Sequence, residues 1–223
     1  MNLNKYVYPK GYKVKNITEQ TNILRQLFPG IGYADERIVK GPLPEGAEGW
    51  FAIPRWDSIA HTYNEAVDKV LKMLKQQCKG RFYNYREHHI TDWLQQTNKA
   101  MKMFYKIWQE QDGYDILVVP AQFGLRHRGL SIRQARNAMN VMEFGFGAFA
   151  VGIMLLIHPE REVQWEQLHV LCAGDDFSII YVESLREPFF DFYNGEVKFD
   201  NCLEHSYDDR YGSASGFVSS SSV

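Results

Sequence analysis

The run Ile116-Leu117-Val118-Val119 restricts the fold more than any other feature of the chain. Four consecutive apolar residues, three of them β-branched, suit a strand buried on both faces, and such a strand needs other elements packed above and below it. It opens a longer segment, Tyr114 to Arg136 (YDILVVPAQFGLRHRGLSIRQAR), that reads as strand, Gly-bounded loop and helix start. Pro120 is expected to end the strand, and Ser131 to cap a helix of about ten residues.

Helical patterns supply the covering layers. Ile59, Tyr63, Ala66, Val67, Val70, Leu71, Leu74 and Cys78 recur on one face and predict a helix from about Ser58 to Lys79, capped by Asp57 or Ser58 and closed by Gly80. Trp93, Leu94, Thr97, Ala100, Met101, Phe104, Ile107 and Trp108 predict a second, from about Asp92 to Gln111. An earlier helix starts at Asn16, which has capping-box spacing to Glu19, and stops at Pro29-Gly30. The Gly- and Pro-rich stretch 29–56 predicts an irregular loop holding a short strand near Trp50 to Ile53. The apolar run Phe144 to Ile157 is too short to span a bilayer and reads as a buried helix, or as a buried strand given Gly145, Gly147 and Gly152.

The C-terminal part reads as β-rich. Leu168 to Ala173 and Phe177 to Val182 flank Gly174-Asp175-Asp176 in a hairpin-like pattern, and Phe189 to Tyr193 and Glu196 to Phe199 flank Asn194-Gly195. The closing SGFVSSSSV is low-complexity and expected to be mobile. Together these predict an α+β protein, with mixed α/β as the variant: a helical N-terminal half, a central buried strand and C-terminal antiparallel hairpins. The expected organisation is a basic aromatic arm (1–15), one compact domain (16–217) and a Ser-rich tail (218–223).

Composition excludes several classes. With 45% apolar and 23% charged residues the chain has an ordinary globular balance. Three cysteines make no disulfide framework, and the first residues contain no apolar signal-peptide core, so a reducing, cytoplasmic setting and no membrane partner are expected. Aromatics at 14% favour either a well-packed core or a sticky surface. Residues 1–136 hold 21 basic and 13 acidic residues (net +8), whereas 137–223 hold 4 and 14 (net −10). Such asymmetry suits a polyanion partner for the basic part, or two halves that fold against each other.

The candidate site by charge is the loop and helix start at 122–136. Gln122, Arg126, His127, Arg128, Arg133 and Arg136 could bind an anion, because no acidic residue intervenes between Asp115 and Glu143. A neutral His127 between two arginines would suit a general base. The arm interleaves Lys5, Lys10, Lys13 and Lys15 with Tyr6, Tyr8 and Tyr12, which suits backbone tracking with base stacking or else a packed tail with solvated lysines. Gly174-Asp175-Asp176 resembles, over three residues, the metal-binding turn of template-dependent RNA polymerases. Asp175 and Asp176 are candidates for Mg²⁺, ordinary turn chemistry being the competing explanation.

Other motifs are weaker. His169-x-x-Cys172 with Cys202-x-x-His205 has zinc-like spacing, but residues three apart on a strand face opposite ways. Gly145-Phe146-Gly147-Ala148-Phe149-Ala150 fits a dinucleotide fingerprint without its βαβ context. The small-residue stretch Tyr211 to Gly216 reads as a flexible connection or a site of close backbone approach. Three functions follow as expectations: a binding protein for nucleic acid or a nucleotide; a hydrolase or transferase on a phosphorylated or acidic substrate using His127, Arg126 and Arg128; or a homo-oligomer pairing basic and acidic halves.

Overall fold

The computed structural model describes residues 6–161, 166–177, 186–193, 195–206 and 208–218. The elements in chain order are α1 (Ile17–Leu27), β1 (Gly49–Pro54), α2 (Tyr63–Gln77), β2 (Phe82–Asn84), α3 (Ile90–Trp93), β3 (Leu94–Gln96), α4 (Asn98–Glu110), β4 (Ile116–Gln122), α5 (Ile132–Ala138), β5 (Glu143–Gly145), α6 (Ala148–Ile157), β6 (His169–Leu171), β7 (Asp175–Phe177), β8 (Arg186–Tyr193), β9 (Glu196–Leu203), β10 (Tyr211–Ser213) and β11 (Ser215–Phe217). This is an α+β fold in one compact unit, with most helices in the N-terminal half.

Two sheets carry it. The first runs β1-β4-β11-β5, every neighbour antiparallel. The second runs β10-β6-β8-β7-β3, with β9 paired to β8 and β2 to β9. α6, buried over its whole length, is the core helix. It packs on α2 at Gly152, where a Cβ would lie 2.5 Å from Val70 Cγ1, so only glycine allows this approach. β4 is buried at all seven positions, as its β-branched run requires.

Local chemistry placed several ends as read. Asn16 accepts from the Glu19 amide at 2.9 Å and starts α1. Ser131 and Gln134 form a capping box on α5. Gly195, at φ +77°, turns between β8 and β9, which pair over eight positions; Asn194 lies outside the described residues.

Six expectations change. The helix expected from Ser58 begins at Tyr63, because Thr62 and Glu65 form a complete capping box after a 3-10 turn at Trp56–Ser58. The helix expected over 92–111 is broken: Leu94–Gln96 pairs with β7, and Thr97 recaps the chain by accepting from the Ala100 amide. Pro120 lies within β4, opposite Trp50. The Trp50 carbonyl is turned away to Gln20, so this is a non-hydrogen-bonded pair and β1 asks for no donor at Pro120. Phe144 begins in a strand rather than a helix, and α6 starts only at Ala148. The Gly174-Asp175-Asp176 segment is no hairpin turn, since β6 and β7 each pair with β8 and not with each other; residues 178–182 lie outside the described residues. Finally, Ser215–Phe217, inside the expected 16–217 domain but part of the low-complexity stretch expected to be mobile, forms β11 between β4 and β5.

Candidate functional site

The Arg-rich segment is tied into the fold residue by residue. Gln122 donates to the Ser213 carbonyl at 2.7 Å and to Ser215 Oγ at 2.8 Å, while its own oxygen accepts from the Gly124 amide at 2.7 Å. His127 is buried and meets Glu143 Oε1 at 2.7 Å; Ser215 Oγ donates to the same oxygen at 2.6 Å, and Arg126 reaches Oε2 at 3.3 Å. Burial pushes the Glu143 carboxyl up, but the hydrogen bonds from His127 and Ser215 outweigh it and hold the group below the ordinary range. The surroundings of His127 are therefore a carboxylate and not two free arginines, which corrects the reading from sequence adjacency.

Each neighbouring arginine has its own partner. Arg128 donates to the Tyr6 carbonyl at 2.9 Å. Arg136 donates to the Ala173 and Asp175 carbonyls and pairs with Asp176 at 2.8 Å and Glu187 at 3.2 Å. Arg133, 60% exposed, has Glu204 at 4.0 Å. Within the arm, Tyr8 donates to Glu48 at 2.5 Å, Tyr12 packs edge-on against Phe123 and His158, and Lys15 pairs with Glu160 at 2.6 Å. Lys10 and Lys13 are exposed and Tyr6 is half-buried; Lys5 lies outside the described residues.

The two aspartates of β7 point to different partners. Asp176 meets Arg136. Asp175 is fully buried, accepts from the Tyr63 hydroxyl at 2.7 and 2.9 Å, and accepts from the Ala148 amide at 2.7 Å, so it caps α6 from a distant strand. Burial pushes its carboxyl up to about 7 despite those hydrogen bonds. Among the described residues no three His, Cys, Asp or Glu side chains gather as a metal site would need. No helix among them is long and apolar enough to cross a membrane.

A cavity of about 160 Å³ lies beside Tyr63. Its walls come from the end of β1 (Ile53, Pro54) and the residues after it (Arg55, Trp56), from α4 (Phe104, Trp108) and from the start of α6 (Phe149), with Gln96 from β3. The volume is on the scale of the ~150 Å³ apolar cavities that hold a benzene-sized molecule. α4 shows why the gap exists. Met101, Phe104 and Trp108 share its apolar face, yet only Ala100 and Ile107 of that helix are fully buried. Part of the face closes on the core, where Phe104 packs on Phe144 and Phe146, and the rest borders the gap. At the rim the Arg55 guanidinium lies 3.9 Å from the Trp108 ring centroid and forks onto Asp57 at 3.0 and 2.7 Å.

These lining residues were not singled out from the sequence. Tyr63, Phe104 and Trp108 satisfied a helical stripe and so read as core. The available signal was the aromatic excess, which fits a sticky surface as well as a core. No protein-family model, no curated protein and no solved structure matches the chain.

Proposed function

We propose that the protein is a binding protein for a small planar ligand, an aromatic or heteroaromatic ring, held in the cavity under α4. One observation carries this reading: the apolar face of α4 covers an aromatic-walled space of about 160 Å³. Concave, mostly apolar pockets with a few polar groups are the usual form of small-molecule sites. Trp56, Tyr63, Phe104, Trp108 and Phe149 supply ring faces and edges. The Arg55 cation already occupies the Trp108 face, so a second cation would be repelled and a neutral ring is favoured. Calorimetric titration with indole, phenol and toluene tests it. At least one should bind, and Trp108→Ala should weaken it by about tenfold, the scale of one lost aromatic contact. Absence of binding by all three at millimolar concentration rejects the reading.

A second reading keeps the polyanion partner, and it rests on the exposure of Arg126 and Arg133, 36% and 60%. Two guanidiniums support only a shallow salt dependence, a log–log slope of roughly −2 on duplex DNA. A slope of that size abolished by Arg126→Ala with Arg133→Ala supports it, and a slope the double variant leaves unchanged rejects it.

A further inference from the structure

The polar groups at the cavity wall differ in what they have free. Arg55 is forked onto Asp57 and stacked on Trp108. The Tyr63 hydroxyl gives its single proton to Asp175, and the Phe149 amide is close to its oxygen. A Cβ at Gly147 would fall 2.5 Å from Tyr63 Oη and 2.1 Å from Asp175 Oδ1, so the glycine lets this pair reach the inner wall. Gln96 is different. It borders the cavity, is half-buried, and its side-chain amide makes no hydrogen bond among the described residues.

Its placement is set by strand pairing. Gln96 on β3 stands directly opposite Asp175 on β7, so the two side chains share one face of the sheet. Asp175 reaches Tyr63 from that face. Gln96 therefore stands on the same side of the sheet as the Asp175–Tyr63 pair, in a cavity wall that also holds Phe104 and Trp108. A primary amide offers one C=O and one N–H₂ side by side. Its complement is a ring edge that carries an N–H next to a carbonyl or ring-nitrogen acceptor.

We infer that the ligand is a heterocycle with such a lactam-like or nucleobase-like edge, its ring packed on the aromatic wall and its edge paired with the Gln96 amide. This rests on the cavity being the binding site. Aromatic stacking with bidentate amide pairing is a general means of reading a base edge.

The test uses 2-pyridone, which has adjacent N–H and C=O, with N-methyl-2-pyridone, which lacks the donor, and toluene as the apolar control. Calorimetry on the wild-type chain should show 2-pyridone binding about tenfold tighter than its N-methyl form, about 1.4 kcal/mol. Gln96→Met keeps the side-chain length and removes the amide; it should bring the two pyridones to within about threefold and leave toluene unchanged. The methyl group's bulk is present against both proteins, so the comparison isolates the amide. A preference that survives Gln96→Met overturns the inference while the cavity reading stands. If no ring compound binds the wild-type chain, the cavity reading falls first. Should Gln96→Met not fold, Gln96→Leu serves: an apolar side chain there should likewise bring the two pyridones to within about threefold, and a surviving preference counts against the inference.

Discussion

Asp175 shows how one residue joins sequence positions far apart. It sits on β7, yet its carboxylate is bound by Tyr63 at the start of α2 and by the first amide of α6. In the unfolded chain it loses its proton near the ordinary value of 3.8; in the fold it does so at about 7. Between those values the fold holds a proton that the unfolded chain has released, so this group lowers stability as pH rises through the window. Asp175→Asn keeps the neutral shape and does not titrate. The variant should gain on the wild-type chain by roughly 2–4 kcal/mol between about pH 4 and pH 8. His158 titrates the other way: burial and the nearby Lys15 lower it to about 4, so its contribution to stability falls as pH drops from 6.5. Both proteins carry His158, and the difference between them cancels it. Urea unfolding of both at several pH values measures this; a difference that stays flat with pH rules out the buried, proton-holding Asp175.

At the scale of elements, two glutamines do the work of missing strands. Gln20 on α1 accepts from the Ala52 amide at 2.9 Å and donates to the Trp50 carbonyl at 2.7 Å, closing the outer edge of β1. Gln111 does the same for β4, bonding the Val118 amide at 2.8 Å and its carbonyl at 2.9 Å, where β11 does not reach. Each pairs one N–H and one C=O that would otherwise be buried without partners. Gln20→Leu and Gln111→Leu should each cost about 2–4 kcal/mol in urea unfolding, on the order of two lost buried bonds. Effects below about 0.5 kcal/mol would show that water replaces the amides. Neither role was legible in the sequence, where both glutamines are ordinary polar residues at helix positions. What was legible was local: the Asn16 and Ser131 caps, the turn at Gly195 and the buried run from Ile116. The break at Leu94–Gln96 was hidden because its cause is pairing with β7, about eighty residues away, while its residues satisfy a helical stripe. The same holds for the cavity, whose lining aromatics carry no sequence mark separating a wall from a core.

Across the whole molecule, the basic and acidic halves interleave. Lys15 pairs with Glu160, Arg86 with Asp200, Arg126 with Glu143, and Arg136 with Asp176 and Glu187. The charge asymmetry of the sequence is therefore partly met inside the chain. The closing strand shows the same interleaving in the backbone. β11 sits between β4 and β5, joining segments separated by about seventy residues or more, and its short Ser- and Gly-rich sequence gives no periodic signal. Small residues are required there: a Cβ at Gly216 would lie 2.2 Å from Phe146 Cε1. Ser215 also donates to the buried Glu143 at 2.6 Å and accepts from Gln122 at 2.8 Å. Ser215→Ala should fold but lose about 1–3 kcal/mol, because two buried groups lose their common partner. Ending the chain at Ala214 is more severe, since it strips the facing edges of β4 and β5 and exposes Phe144 and Phe146. That chain should lose cooperative thermal unfolding by circular dichroism and bind a hydrophobic dye, whereas Ser215→Ala keeps a single transition. A chain ending at Ala214 that still melts cooperatively near the wild-type temperature would mean that the first sheet closes without β11.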